Sequence, residues 1–307
     1  MHARVDLSAL RSPLLFEGNA TTAYRDPAVC YQDGTFHLYA TVSFIDRDGL
    51  VYSQTACSRS TDLINWSPLH SITPKDRSLN LSSPGNIIRD GDAFVLCLQT
   101  YPTPRPEDKY GNSDARLWTM RSQDLVTWSK PELLRVEGPD VPWERMSRLI
   151  DPYLLDDRDR SGLYWCFYKK NGLICASTSR DLKTWHPEEG DVARGENPCV
   201  IRDGGEYVLL YSPETGIGVK RSSDLKTWRD GGLLQLDMGK WDWARGRLSA
   251  AFVLDLRHEP RVGKALLFFH GSRWPEEDPR GGWANWVSLG IAWSDDLLHW
   301  EWPPERV

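Results

Sequence analysis

The stretch Ser60-Thr61-Asp62-Leu63-Ile64-Asn65-Trp66 decides the fold, because its pattern Ser-x-Asp-Leu-x-x-Trp occurs five times in the 307-residue chain. The other copies span 122–128, 179–185, 222–228 and 294–300, and each keeps the same four residues at the same offsets. The copies are unevenly spaced, which suits structural units with variable loops better than a tight solenoid. The sequence therefore predicts five similar units in succession.

Each copy follows β-like runs, which indicate what one unit contains. In the first unit, runs 28–31 and 35–40 flank Gln32-Asp33-Gly34, and Asp-Gly between such runs is a hairpin signal. A third run leads into the repeated phrase, and a short outer strand is expected after it. This pattern predicts an all-β fold, a five-bladed β-propeller with four-stranded antiparallel blades around a central axis.

The whole chain, 1–307, is expected to form this single domain. The expected blades span roughly 24–75, 83–137, 149–192, 195–237 and 247–307. The segment Pro13-Leu14-Leu15-Phe16 is expected to add an outer strand to blade five. Within the repeat, Asp is expected to cap its own turn and Trp to pack between neighbouring blades, so these residues are not active-site candidates.

The starts of the inner strands supply the candidate catalytic residues. Asp26 opens blade one, Asp151 opens blade three and Glu196 opens blade four, at positions interpreted as equivalent. Grouping acidic side chains in one pocket is energetically costly, because like charges raise one another's pKa and burial raises each pKa further. We therefore favour acid–base catalysis over a solvated acidic rim or a cation site such as Ca²⁺. Glycoside hydrolysis uses such a set, with one protonated carboxyl and one ionised carboxyl.

The order Asp26-Pro27, Asp151-Pro152 and Glu196-Asn197-Pro198 on blades one, three and four resembles glycoside hydrolase family 43 and its five-bladed relatives, families 32, 62 and 117. The similarity runs from about Tyr24 to Trp300. It implies a glycosidase that inverts configuration, with Asp26 as general base, Glu196 as general acid and Asp151 as a modulator of pKa. The resulting hypothesis is an exo-acting enzyme for an arabino-, xylo- or galacto-type sugar in a short oligosaccharide.

Two blade-five positions extend this resemblance. Gly246-Arg247 looks like the family's Gly-Arg, which implies that Arg247 contacts substrate and pairs with Asp151. His270 matches a histidine near the family's axis that holds a water or an ion, so a structural Ca²⁺ on the axis is a further expectation. Without that role, His270 is a satisfied core histidine.

Further substrate contacts are expected beside the inner strands and in the loops that lead to them. The candidates are Tyr24, Ser83, Asn86, Gln99 and Trp143. Sugars stack on exposed aromatic faces, so Trp241, Trp243, Trp274, Trp283 and Trp286 are either subsite rings or packing residues. Family 43 often has Trp-Ala-Pro where Ser83-Pro84 stands here, and its fourth-blade motif is usually Glu-Gly-Pro or Glu-Ala-Pro. These departures prevent transfer of sugar specificity.

Bulk properties exclude several other functions. The formal charge is 37 − 43 = −6 without a basic block, which argues against nucleic acid and anionic membranes as partners. No apolar run approaches the roughly 18 residues of a membrane span. The start lacks the apolar core of a secretion signal, so a cytoplasmic location is expected. The six cysteines form no CxxC pair, which favours buried thiols.

Three alternatives remain open. A retaining family 32-like glycosidase would use Asp26 as nucleophile, but that family's Trp-Met-Asn-Asp-Pro-Asn signature is absent. A noncatalytic propeller that binds sugar or protein would have the same fold. A phosphorylase would need a basic phosphate cradle at the mouth, which the acidic set gives no reason to expect.

Overall fold

The computed structural model describes residues 4–214, 216–234, 236, 241–273 and 285–303. Within these ranges the chain forms five separate antiparallel sheets. The innermost strands of successive sheets contact one another, and the last contacts the first. This closed ring confirms the predicted five-bladed β-propeller.

A short 3-10 helix (Leu7–Ala9) and strand β1 (Leu14–Phe16) come first. Blade one contains β2 (Thr22–Gln32), β3 (Thr35–Ile45), β4 (Val51–Ser60) and β5 (His70–Ser71). Blade two contains β6 (Ile87–Asp90), β7 (Ala93–Gln99), β8 (Leu117–Ser122) and β9 (Glu132–Leu133). A second 3-10 helix (Trp143–Arg145) follows.

Blade three contains β10 (Ile150–Asp157), β11 (Leu163–Lys170), β12 (Leu173–Ser179) and β13 (Trp185–Pro187), and the short β14 (Ala193–Arg194) also pairs with β12. Blade four contains β15 (Glu196–Asp203), β16 (Glu206–Ser212), β17 (Gly218–Ser222) and β18 (Arg229–Leu233). Blade five contains β19 (Arg247–Asp255), β20 (Ala265–Ser272), β21 (Val287–Ser294) and β1.

The N-terminal strand closes the ring. Leu14 of β1 pairs with Gly290 of β21, and Phe16 pairs with Leu289. The predicted outer strand of blade five is therefore confirmed. Its backbone hydrogen bonds join the start of the chain to the last blade, so opening the ring would break a paired sheet edge.

The five copies of Ser-x-Asp-Leu-x-x-Trp form five similar turns, here called the rim turns. In the second, Asp124 accepts hydrogen bonds on Oδ1 from the amides of Val126 (2.8 Å) and Thr127 (2.7 Å). These bonds lower the pKa of Asp124 to about 2. Leu125 adopts a φ of +60°, and the corresponding leucines of the other four turns do likewise. The predicted capping role of this Asp is confirmed.

The repeated tryptophans join neighbouring blades. Trp128 of blade two packs edge-on against Tyr39 of blade one, with ring centroids 5.6 Å apart. Trp228 of blade four packs against Phe167 of blade three in the same manner, at 6.3 Å. The Tyr39 hydroxyl also donates to the Leu125 carbonyl oxygen at 2.6 Å. The turn of one blade is thus fixed to the preceding blade.

In the part of the chain that the structure describes, no helix is long and apolar enough to cross a membrane. The six cysteines are free thiols. Four of them are buried and Cys30 and Cys175 are half-buried, in agreement with the expectation from their spacing.

Candidate active site

Four of the five inner strands are interrupted near their start by a two-residue bulge, and in blade two the corresponding residues, Ser83 and Pro84, lie between the isolated Ser82–Gln99 bridge and β6. In blade one the pairing passes from Arg25–Thr41 directly to Ala28–Tyr39, which leaves Asp26 and Pro27 outside the ladder. The first bulge residue has a φ between 45° and 54° in every blade. We call these five positions the axial bulge residues. They are Asp26, Ser83, Asp151, Asn197 and Ala250.

This register corrects one sequence prediction. The blade-four residue equivalent to Asp26 and Asp151 is Asn197, and Glu196 stands one position earlier, at the position of Arg25 in blade one. The error arose because the proline follows Asp26 directly but follows Glu196 after one residue. Glu196 therefore reaches the site from a different backbone position than the two aspartates.

The three carboxylates nevertheless meet in one depression at the mouth of the axis, with an empty volume of about 540 Å³. We call it the mouth pocket. Its lining includes Arg25, Asp26, Ser83, Gln99, Tyr101, Asp151, Glu196, Arg247 and His270. A second depression of about 300 Å³ is lined by all five axial bulge residues. The bulges thus bring residues from five blades to one place.

Hydrogen bonds between adjacent blades hold four of the five bulges, and we call them the axial links. Each bulge amide donates to a side chain from the second strand of the preceding blade. The bonds run from Asp26 to His270 Nδ1 (3.1 Å), Ser83 to Thr41 Oγ1 (2.7 Å), Asp151 to Gln99 Oε1 (2.5 Å) and Ala250 to Ser212 Oγ (2.8 Å). These bonds satisfy buried backbone groups and fix the bulges.

The fifth position differs from the other four. Lys169, which pairs with Ile150 across blade three, stands where the other blades have a hydrogen-bond acceptor. A lysine ammonium group has no acceptor. The amide of Asn197 instead lies near the Asp151 carboxyl and favours its ionised form, which lowers its pKa. Blades three and four are therefore joined through the candidate catalytic groups.

The carboxylate of Asp26 is buried and held by two hydroxyl groups. Thr41 Oγ1 donates to Oδ2 at 2.8 Å, and Ser83 Oγ donates to the same oxygen at 3.0 Å. Oδ1 lies 3.6 Å from His270 Nδ1. Because both hydroxyl groups donate to Oδ2, the other oxygen, Oδ1, can accept a proton from a water molecule in the pocket.

His270 is a buried, neutral histidine. Its Nδ1 accepts the Asp26 amide, so the network assigns the ring proton to Nε2, which donates to Ser249 Oγ at 2.7 Å. Burial lowers its pKa to about 4, although the Asp26 carboxylate opposes this shift. The predicted metal site does not fit this arrangement, because both ring nitrogens are engaged. Among the described residues, no three His, Cys, Asp or Glu side chains are grouped to hold a metal ion.

Asp151 is buried and holds its proton more tightly than an ordinary aspartate. Burial and the nearby Glu196 carboxylate raise its pKa to about 7, and Asp26 adds to the effect. The Lys169 ammonium and the Asn197 amide act in the opposite direction. This carboxyl therefore keeps its proton to a higher pH than an ordinary aspartate does.

Glu196 is held by two cations. Lys169 Nζ binds Oε2, and Arg247 binds Oε1 at 2.8 Å. Burial opposes ionisation, but the two cations outweigh it and lower the pKa of Glu196. The resemblance predicted that Arg247 would pair with Asp151, and this was wrong. Asp151 is itself a bulge residue, whereas Glu196 lies one position before the bulge residue of its strand. From that position Glu196 binds the Arg247 guanidinium group.

The remaining substrate-contact predictions divide into two groups. Ser83 and Gln99 line the mouth pocket. Asn86, Tyr24 and Trp143 are not among its lining residues. Asn86 uses its amide on the backbone of blade three, where it binds both the amide and the carbonyl of Leu154.

The rings of Tyr24 and Phe16 pack with their centroids 5.9 Å apart. The rings of Trp143 and Trp118 lie 6.5 Å apart, and Trp143 as a whole is 39% exposed. Trp241 and Trp243 are buried and stacked, so they are core residues.

Arg273 covers the ring of Trp286 at 4.2 Å. Trp274 and Trp283 lie outside the described residues.

Sequence reasoning missed two residues at this site, Lys169 and Arg25. Arg25 donates to Ser43 Oγ at 3.1 Å and faces the pocket beside Asp26, and Tyr101 forms part of the wall. Lys169 could have been found by aligning the ends of the second strands, where Thr41, Gln99, Ser212 and His270 occupy corresponding places.

Comparisons with solved structures bear on the fold. The chain is similar to a thermostable family-43 glycoside hydrolase, with 16% identity, a TM-score of 0.65 and coverage of 100% of this chain and 98% of that one. A GH43_1 enzyme from Xanthomonas citri complexed with xylose has 12% identity, a TM-score of 0.62 and coverage of 94% and 93%. The catalytic domain of a GH62 α-L-arabinofuranosidase from Coprinopsis cinerea has 17% identity, a TM-score of 0.61 and coverage of 88% and 90%.

No protein-family model and no curated protein matches the sequence. At identities this low, the structural likeness establishes the fold alone.

Proposed function

We propose that this protein is a family 43-like glycoside hydrolase that cleaves a glycosidic bond in an oligosaccharide or small glycoside. The observation that carries the proposal is the mouth pocket itself, which brings Asp26, Asp151 and Glu196 together and in which the pKa of Asp151 is raised while that of Glu196 is lowered. Groups whose surroundings push their pKa values apart are suited to separate acid and base roles.

Asp26 is assigned as the general base. Its Oδ2 is fixed by Thr41 and Ser83, and its Oδ1 can take a proton from the attacking water. Neutral His270 supports this geometry, because it fixes the Asp26 backbone without adding a charge. The water would then attack the anomeric carbon directly, which inverts its configuration.

Asp151 and Glu196 are assigned as a pair that supplies the proton to the leaving group. Two interacting carboxyls titrate together, and the raised pKa of Asp151 means that the pair still holds a proton near neutral pH. Glu196 is the member with the more exposed side chain, at 25%, and is the proposed donor. Asp151 acts as the modulator: it holds the shared proton before the reaction and passes it to Glu196 as Glu196 protonates the leaving oxygen.

The structural neighbours support a carbohydrate substrate. One was solved with xylose and another is an arabinofuranosidase. We therefore propose an exo-acting enzyme on an arabino-, xylo- or galacto-type sugar. The mouth also contains the cations that a phosphorylase would need, but Lys169 and Arg247 both bind Glu196. Hydrolysis is accordingly favoured over phosphorolysis.

The test is a screen of 4-nitrophenyl α- and β-glycosides of these sugars, with the anomer of the first product read by NMR. We expect hydrolysis of at least one glycoside with inversion. A retained anomer would instead assign Asp26 as a nucleophile, and turnover that requires added phosphate would indicate a phosphorylase. Sugar binding without turnover would leave a noncatalytic propeller.

A further inference from the structure

The strongest unassigned feature is the fifth position of the axial ring. Four blades place an acceptor there, and each accepts the bulge amide of the next blade. Blade three places Lys169 there, and its side chain is only 21% exposed. A lysine that is mostly removed from solvent loses rotamer freedom and hydration, so a compensating partner is expected for it.

That partner is Glu196. The ammonium group of Lys169 binds Oε2 while Arg247 binds Oε1, so both carboxylate oxygens face a cation. Among the described residues, Asp151 forms no such ion pair, and the nearby Asn197 amide favours its ionised form only as a minor influence on its pKa. The presence of a lysine at this one position of the ring thus changes the surroundings of two neighbouring carboxyls.

We propose that Lys169 is a positioning residue that decides which carboxyl of the Asp151–Glu196 pair holds the shared proton. The role of Lys169 in catalysis rests on the proposed function, but its effect on the titration of Glu196 does not. With the ammonium group in place, the negative charge is held on Glu196 and the proton stays on Asp151. Without it, the two carboxyls become more alike and Glu196 takes a larger share of the proton.

Other charges that face Glu196 do not replace this effect. Arg247 stabilises the same carboxylate from blade five, and Asp151 repels it from blade three. His270, across the pocket, is neutral above about pH 4. Asp26 and Arg25 also face the pocket, with opposite charges on adjacent residues. Removing the Lys169 charge therefore tests how the proton is divided between the two carboxyls while Arg247 stays in place.

The direct test follows the titration of Glu196 by NMR in protein carrying carboxyl-carbon-13 glutamate, with the signal assigned from Glu196→Gln. Lys169→Met should raise the Glu196 midpoint by at least about one pH unit, because an opposite charge in contact shifts a pKa by roughly 1–3 units. Lys169→Gln, which places here the residue found at the corresponding position 99, should do the same. Lys169→Arg keeps the charge and should leave the midpoint close to that of the wild type.

The kinetic test uses whichever aryl glycoside the wild type hydrolyses. The alkaline limb of kcat/KM should move to higher pH by about one unit in Lys169→Met and Lys169→Gln, a roughly tenfold gain in rate on that limb. Lys169→Arg should restore the wild-type profile. A purely structural lysine would lower the melting temperature without moving this limb.

The two proposals fail in distinguishable ways. If no glycoside is hydrolysed, the proposed function fails, while the NMR midpoint still tests Lys169. If folded Lys169→Met and Lys169→Gln both titrate like Lys169→Arg, the role proposed for Lys169 is overturned, whatever the enzyme's activity.

Discussion

The rim turns and the axial bulges are both repeated five times, but they use repetition differently. At the rim, the backbone and the Ser, Asp, Leu and Trp side chains are the same in every blade, including the Asp that caps each turn. At the axis, the backbone repeats with a φ near 50° while the side chains are Asp, Ser, Asp, Asn and Ala. The comparison indicates that the rim residues have the same structural role in every blade, whereas the axial residues of different blades have different roles.

Electrostatics sharpen this difference. Backbone amides surround the rim carboxylate of Asp124 and lower its pKa to about 2. Burial and a like charge raise the pKa of Asp151 to about 7. The same residue type therefore stabilises the fold at the rim and costs stability at the axis, as expected for a functional site.

The largest expected effect separates activity from stability. Asp26→Asn and Glu196→Gln should each reduce kcat/KM by roughly 10²- to 10⁴-fold, the usual contribution of general acid–base catalysis. Both variants should remain folded, although Glu196→Gln removes the charged partner of Lys169 and Arg247 and should lower the melting temperature by a few degrees. Asp124→Ala at the rim should also lower the melting temperature by a few degrees, but its turnover should persist.

The measurement pairs initial rates on the selected glycoside with thermal unfolding of each variant. The Glu196→Gln loss should shrink on a dinitrophenyl glycoside, whose leaving group needs no proton. Equal losses on both substrates would argue against Glu196 as the acid, and a catalytic defect in folded Asp124→Ala would break the distinction between rim and axis.

A smaller effect should appear in the pH dependence of stability. Because folding raises the pKa of Asp151, its contribution is fully present below the ordinary value of 3.8 and is lost as pH rises through about 7. Asp151→Asn removes this loss, so its stability relative to wild type should grow by roughly 2–3 kcal/mol between pH 5 and pH 8. Urea unfolding at both pH values measures the difference.

Asp124 supplies the opposite sign as a control. Its pKa is lowered, so its stabilisation is present above 3.8 and is lost as pH falls through about 2. Asp124→Asn should therefore be less stable than wild type at both pH 5 and pH 8, by a similar amount. If the stability of Asp151→Asn relative to wild type did not increase with pH, the raised pKa assigned to Asp151 would be contradicted.

The smallest effect compares single hydroxyl groups. Thr41→Val removes the acceptor of the Ser83 amide, and Ser122→Ala removes the acceptor of the Leu125 amide at the rim. Each leaves a buried donor without its partner, at a cost of about 1–3 kcal/mol. Only Thr41→Val should also lower kcat, since Thr41 orients Asp26.

Chemical unfolding and initial rates together decide this comparison. Thr41→Ser keeps the hydroxyl and should restore most of both properties. If Thr41→Val and Ser122→Ala affect kcat equally, the axial hydroxyl has no special role.

The sequence predicted the fold well because the rim turns are local. Ser, Asp, Leu and Trp lie within seven residues. Because their hydrogen bonds join residues two or three positions apart, the turn requires a fixed spacing that is visible in the sequence. It also predicted β1 as the outer strand of blade five. The site was predicted less completely. Asp26, Asp151 and Glu196 do share the mouth pocket, but the partner of Arg247 was wrong and Lys169 was missed.

These failures have one physical cause. The axial links join residues 38 to 244 positions apart, and their geometry depends on a bulge that shifts each strand's register. The sequence by itself determined the number of blades and the carboxylates at their mouths, because local turns and strand starts specify both. Only the tertiary structure decided that Glu196 lies one position off the bulge and is held by Lys169 and Arg247. Those contacts form when separate blades close into a ring.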